Sequence, residues 1–140
     1  MSVQIVFDHF PAMIAKLPPE CGTVVQATCK RIQGRARISM TGPKHGKTYR
    51  KGRSGATKSF IYHRASAPGE PPARDTGALA NSIRVRMTGH TEGMVYSNAD
   101  YSAALEFGMA KIAARPYMGP AGDAERSRHT SEIERVVKGL

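Results

Sequence analysis

The chain has 140 residues, 40% of them hydrophobic, and a formal net charge of +10. This length is typical of one domain, so we expect residues 1–140 to form a single domain. The sequence lacks a run of about 18 apolar residues and a basic segment followed by an apolar one, so we expect neither a membrane span nor a secretory signal.

The N-terminal part of the chain predicts a strand followed by a long helix. Val3, Ile5 and Phe7 recur with the two-residue period of a strand, which we expect to end at about Phe7. Apolar residues spaced by three and four predict a helical turn over 10–17. An apolar stripe with helical spacing then predicts the main helix, roughly residues 19–38.

The next segment, about residues 41–57, is predicted to be a long, flexible basic loop because glycine and basic residues dominate it. No acidic residue occurs from Cys21 to Gly69, and eleven of the 21 lysines and arginines lie in that stretch. Such a concentration of charge indicates a polyanionic partner or an acidic protein surface. The candidate nucleic-acid or partner contacts are Lys44, Lys47, Arg50, Lys51, Arg53 and Lys58.

Three interpretations of this loop remain open: a solvated loop, a contact with DNA threading through a ring, or docking onto an acidic partner. The sequence has no helix-turn-helix or zinc-finger pattern, so we do not expect sequence-specific readout.

The rest of the chain predicts further short strands and two helices. The predicted elements are a strand over 58–64, a hairpin of 83–87 with 94–96, a helix over 101–107 ended by Gly108, and a closing helix over 118–137. The predicted fold class is therefore α+β. A long N-terminal helix and a C-terminal helix pack on a small antiparallel sheet, and the basic loop projects from it.

No pattern in the sequence predicts catalysis, a metal or a cofactor. The five histidines are scattered without metal-ligand spacing, and neither a phosphate-binding loop nor a nucleophile with its base can be assembled. We therefore expect no enzyme activity. Cys21 and Cys29 would lie roughly 12 Å apart on one helix, too far for a disulfide. They are interpreted as buried thiols, with a redox or metal role as the alternative.

Residues 65–83 read A-S-A-P-G-E-P-P-A-R-D-T-G-A-L-A-N-S-I. The prolines of the first half exclude a regular helix or strand there and predict a rigid, extended arm. Asp75 and Thr76 then provide N-cap chemistry for a short helix that follows.

Two further phrases follow, Y-S-A-A-L-E-F-G at 101–108 and R-P-Y-M-G-P-A at 115–121. In this order and spacing, the three phrases resemble the neck or tail-completion proteins of long-tailed bacteriophages and prophages. That family shows "S-A-P-G-x-P-P-x-x-T-G-x-L-x-x-S-I", then "Y-A-x-x-L-E-F-G-T", then "R-P-F-M-x-P-A". The chain departs from these phrases at Ser102, Met109 and Tyr117.

The resemblance implies a structural virion protein, made in the host cytoplasm, that joins the DNA-filled head to the tail or completes the tail end as a tail terminator. It implies a homo-oligomeric ring in contact with other neck proteins, tail-tube proteins and packaged DNA, and no membrane partner. The residues expected to be structural or to lie at interfaces are Pro68, Pro71, Pro72, Thr76, Gly77, Leu79, Glu106, Phe107, Gly108, Arg115 and Pro116.

Glu106 is a charged residue at the end of an apolar helical segment. We expect its carboxylate to pair with Arg115, which precedes a proline in an extended segment. A solvent-facing Glu106 is the alternative. A second function, a free-standing nucleic-acid-binding module without sequence specificity, would also explain the net charge.

Overall fold

The computed structural model describes residues 4–7, 19–53, 55 and 59–139. Its elements follow in the order β1 (Gln4–Phe7), α1 (Pro19–Ser39), β2 (Thr48–Arg53), β3 (Phe60–Arg64), α2 (Ala78–Ser82), β4 (Ile83–Met87), β5 (Gly93–Ser97), α3 (Ser102–Phe107) and α4 (Met118–Lys138). The fold is α+β with an N-terminal and a C-terminal helix, as predicted, and its strands form two small antiparallel sheets.

The larger sheet has three antiparallel strands in the order β1-β5-β4. Strands β4 and β5 form the predicted hairpin, with Ile83 opposite Ser97 and Val85 opposite Val95. Strand β1 lies on the other edge of β5, which confirms the strand predicted from the N-terminal alternation. The helical turn predicted over 10–17 lies outside the described residues.

The core lies between α1, this sheet and the start of α4. The helical stripe of α1 is buried as predicted, through residues that include Val25, Cys29 and Ile32. Ile83 and Val95 of the sheet and Met118 of α4 complete the same cluster. Cys21 and Cys29 are free, buried thiols, as the sequence predicted, and burial raises the pKa of both.

A network of ionised groups joins α1 to α4. Glu125 is buried and accepts hydrogen bonds from Arg31 Nε at 2.7 Å and Arg35 Nε at 2.5 Å. Arg31 also bonds Glu132, at 2.8 Å. Burial alone would raise the pKa of the Glu125 carboxyl, but the bonds from Arg35 and Arg31 lower it below its usual range. Two basic residues of the acid-free stretch are therefore neutralised by acidic residues of α4.

The predicted basic loop is only partly a loop. Thr48–Arg53 forms strand β2, which pairs antiparallel with β3. The pairing shifts register between Arg50 and Gly52, so Lys51 interrupts the alternation that a strand prediction relies on. Residues 41–47 remain irregular, and residues 54 and 56–58 lie outside the described part of the chain.

Candidate interaction surface

The arm, defined as residues 65–77, follows an irregular path between β3 and α2, as its prolines predict. Backbone hydrogen bonds hold it at two points: Gly69 N–H donates to the Ala114 carbonyl, and Arg74 N–H donates to the Met40 carbonyl. The Glu70 carboxylate accepts the Ala67 N–H and also bonds His45, and these contacts lower the pKa of Glu70 to about 2. The arm is therefore fixed to the end of α1 and to the segment before α4.

The arm ends at Gly77, which is the N-cap residue of α2 and has a left-handed φ of 84°. The prediction that Asp75 and Thr76 cap this helix is corrected. Only Thr76 contributes, by accepting the Ala78 N–H at 3.3 Å, while the Asp75 carboxylate bonds the Lys51 ammonium of β2. Glycine adopts a left-handed conformation with little steric strain, so the chain turns into α2 at Gly77. Asp75 precedes this turn and lies outside the helix, where its carboxylate meets β2.

Glu106 caps the N-terminus of α4. The residue is 7% exposed, and its carboxylate accepts the backbone N–H groups of Tyr117 (2.8 Å), Met118 (3.0 Å) and Gly119 (2.7 Å). A helix begins with four N–H groups that have no partner within it, and the fourth position here is Pro120, which has no N–H. One side chain from α3 thus satisfies the whole first turn of α4.

The predicted ion pair between Glu106 and Arg115 is wrong. Arg115 instead donates from Nε to the Ser66 carbonyl at 3.3 Å and from its backbone N–H to the Leu105 carbonyl at 2.6 Å. The reason is local geometry. The chain passes directly from Arg115 into α4, and the backbone N–H groups at the start of α4 occupy the Glu106 carboxylate in place of the Arg115 guanidinium. Pro120 in the first helical turn was the signal for a helix start nearby.

The three sequence phrases meet in one unit, which we call the three-phrase unit. The first phrase joins the third through Ser66 with Arg115, and Gly69 bonds Ala114, the residue just before the third phrase. The second phrase joins the third through Leu105 with Arg115 and through Glu106 with the residues that follow Pro116. Of the predicted structural or interface residues, the buried ones are Pro72, Gly77 and Glu106, the half-buried ones are Pro71, Leu79, Gly108, Arg115 and Pro116, and the exposed ones are Pro68, Thr76 and Phe107.

An apolar surface projects from this unit. Phe107, at the end of α3, is 74% exposed, and Met109 and Ile112 are exposed beside it. Reciprocal backbone hydrogen bonds of 2.8 and 3.0 Å between Met109 and Ile112 hold the segment in a closed turn. We call residues 107–112 the apolar turn. Phe107 was among the residues predicted from the sequence to be structural or to lie at an interface, but Met109 and Ile112 were not, although a methionine at 109 departs from the family's phrase.

A cleft of about 430 Å³ lies between the arm, α2, α3 and the paired strands β2 and β3. Met40, Leu79 and Leu105 are among its apolar lining residues, and Arg74 and Arg115 add positive charge. All three sequence phrases contribute to its walls.

Strands β2 and β3 form what we call the basic hairpin. The six predicted contact residues do not share one environment. Lys44 Nζ donates to the Ser39 carbonyl at the end of α1, and Lys51 bonds Asp75. Lys47 and Arg50 are exposed. Arg53 pairs through its backbone with Phe60, and Lys58 lies outside the described residues.

No candidate metal site or membrane span emerges from the described residues. They bring no three histidine, cysteine or acidic side chains together in a group that could hold a metal ion. None of the helices described here combines the length and hydropathy that a bilayer span requires. Comparison of the chain with protein-family models, curated proteins and solved structures found no match.

Proposed function

We propose that this chain is a structural protein of a bacteriophage virion that assembles as a ring in the neck or at the tail end, where it joins the DNA-filled head to the tail. The proposal starts from the three phrases in the sequence. The observation that carries it further is that these phrases, separated along the chain, form one hydrogen-bonded unit beside an uncovered apolar turn.

A ring of identical subunits needs two different, complementary surfaces on each subunit. The apolar turn supplies one candidate surface, because exposed apolar side chains held on a closed turn lose little conformational freedom when they dock. The arm and the cleft beside it supply a second, also built on fixed backbone. Assembly, rather than catalysis, is the activity that these surfaces support.

Native mass spectrometry tests the proposed assembly with a pair of matched variants. Phe107 is 74% exposed and Ile38, at the end of α1, is 70% exposed, so replacing either by serine leaves the core unchanged. We expect Phe107→Ser to weaken or abolish rings formed alone or with the tail-tube partner, and Ile38→Ser to retain them. Equal loss in both variants, or rings unaffected by either, would contradict the assignment of the apolar turn to the ring contact.

The biological test is deletion of the gene in the parent phage. We expect filled heads and separate tails that fail to join, or tails with aberrant ends. Normal infectious particles made without this protein would reject the proposal.

A free-standing nucleic-acid-binding module is the alternative function, and the exposed basic residues of the hairpin favour it. It requires no ring and no apolar contact. A monomer with steeply salt-dependent DNA affinity, unaffected by Phe107→Ser and found outside virions, would support this alternative.

A further inference from the structure

We propose that the outer face of the basic hairpin binds the phosphate backbone of duplex DNA without sequence preference, and that Arg50 and Arg64 are its principal contacts. This inference goes beyond the assembly role and does not depend on it. A chain could form rings without binding DNA, or bind DNA without forming rings.

The hairpin has two distinct faces, because side chains of paired residues in antiparallel strands project to the same side. Tyr49 and His63 are opposite each other and line the cleft, and His63 lies 4.0 Å from Asp75, so this face is turned towards the body of the protein. Arg50 and Tyr62 form the next pair and therefore project outwards.

The outer face continues on both sides of the Arg50 and Tyr62 pair. Thr48 is opposite Arg64, and the Arg50 guanidinium carbon lies 4.5 Å from the centre of the Phe60 ring. Tyr62 is 63% exposed, and both arginines are exposed. Basic and aromatic side chains thus share one side of a two-stranded ribbon.

Positive charge on this face is not neutralised within the fold. Lys51 has Asp75 as its partner, and Arg31 and Arg35 bond Glu125. Arg50 and Arg64, by contrast, form no ion pair with an acidic residue in the described ranges, and Arg64 Nε donates only to the neutral Gly46 carbonyl, at 3.3 Å. A partner that binds here must supply the anions.

Duplex DNA fits this face better than an acidic protein surface does. A two-stranded ribbon has the width that the major groove admits, and phosphates border that groove on both sides. Stacking on Phe60 orients the Arg50 guanidinium, whose N–H groups are suited to bidentate contact with phosphate. Tyrosine hydroxyls also contact phosphates, and Tyr62 is exposed between the arginines. The sequence contains no motif for reading bases, so the binding should be non-specific.

The test is fluorescence anisotropy with the full chain and a labelled mixed-sequence duplex of 20 base pairs, titrated at several salt concentrations. Arg50→Gln and Arg64→Gln should each weaken binding roughly five- to tenfold at 0.1 M salt, and each should reduce the salt slope by about 1. Lys51→Gln is the matched control. It removes the same charge from the neighbouring position, but from the side chain bonded to Asp75, so we expect less than a twofold change.

Three outcomes would overturn the inference. The first is an equal loss for Lys51→Gln and Arg50→Gln, which would mean that net charge alone drives binding. The second is an affinity for poly-glutamate as high as for duplex DNA, which would indicate an acidic protein partner. The third is no measurable duplex binding by the native chain. Thermal melts of all variants verify that each is folded, and native mass spectrometry of the same variants reports ring formation separately.

Discussion

Replacing Glu106 by glutamine tests the cap that joins α3 to α4. The carboxylate accepts three backbone N–H groups, two on Oε2 from Tyr117 and Met118 and one on Oε1 from Gly119. Glutamine retains one acceptor oxygen and replaces the other by an NH₂ group. If the glutamine oxygen takes the place of Oε2 and keeps its two contacts, the NH₂ group faces the Gly119 N–H, and one hydrogen bond becomes a contact between two donors.

The magnitude follows from these bonds. A hydrogen bond to a charged group contributes about 1.5–3 kcal/mol, and a carboxylate at a helix N-terminus adds about 0.3–1 kcal/mol through the helix dipole. Losing one such bond and the charge predicts that Glu106→Gln lowers the free energy of unfolding by about 2–4 kcal/mol. For a chain of this size, each kcal/mol lost shifts the melting temperature by roughly 3–4 °C, so Glu106→Gln should melt about 10 °C lower.

The assay is thermal and urea unfolding at pH 7, with Glu134→Gln as the matched control. Glu134 lies in the same helix, but it is exposed and 3.8 Å from Lys138, so its replacement should change stability by less than about 0.5 kcal/mol. A Glu106→Gln variant as stable as the control would refute the proposed cap. Arg115→Met offers a second comparison: it removes one hydrogen bond to the Ser66 carbonyl and should cost only about 1 kcal/mol.

Three further predictions concern stability. In α1, a Cβ at Gly22 would lie 2.5 Å from a backbone carbonyl of the β4–β5 loop, whereas one at Gly34 would meet no atom of the described residues within 4 Å. Gly22→Ala should therefore lower the melting temperature, and Gly34→Ala should stabilise the fold by about 0.5–1 kcal/mol; the reverse order would contradict the packing of α1. A Cβ at Gly46 would clash with the Ala65 and Ser66 backbone carbonyls at the start of the arm, whereas one at Gly42 would meet no described atom within 4 Å. Gly46→Ala alone should therefore increase amide exchange in the basic hairpin; equal exchange in both variants would show that this contact does not hold the hairpin. The lowered pKa of Glu125 contributes stability that is complete above the unfolded pKa of 4.5 and is lost as pH falls through the folded pKa. In urea unfolding between pH 7 and pH 3, the native chain should therefore lose stability below pH 4.5 with a steeper slope than Glu125→Gln. Parallel slopes would contradict the pairing of Glu125 with α1.

Local sequence patterns sufficed for most of the secondary structure. The apolar stripe of α1 and the alternation of β4 and β5 around a glycine-bounded loop each express one period over many residues, so element type and approximate bounds could be predicted. The proline-rich arm was predictable for a related reason, since proline excludes helix and strand wherever it occurs. Strand β2 was missed because Lys51 and Gly52 disfavour a strand locally, and only the pairing with β3 stabilises one.

The partners of charged groups were beyond the reach of sequence alone. Glu106 was expected to pair with Arg115, but its carboxylate binds the N–H groups of the first turn of α4. The partial positive charge of a helix N-terminus comes from the backbone, so no residue type in the sequence indicates it. Arg31 and Arg50 belong to the same acid-free stretch, yet only Arg31 meets an acidic partner, 94 residues away in Glu125. The sequence by itself determined that an excess of positive charge lies in the stretch from α1 to the start of the arm. The tertiary structure decided which of those charges are neutralised, because ion pairing depends on distances that only the packing of α1 against α4 establishes.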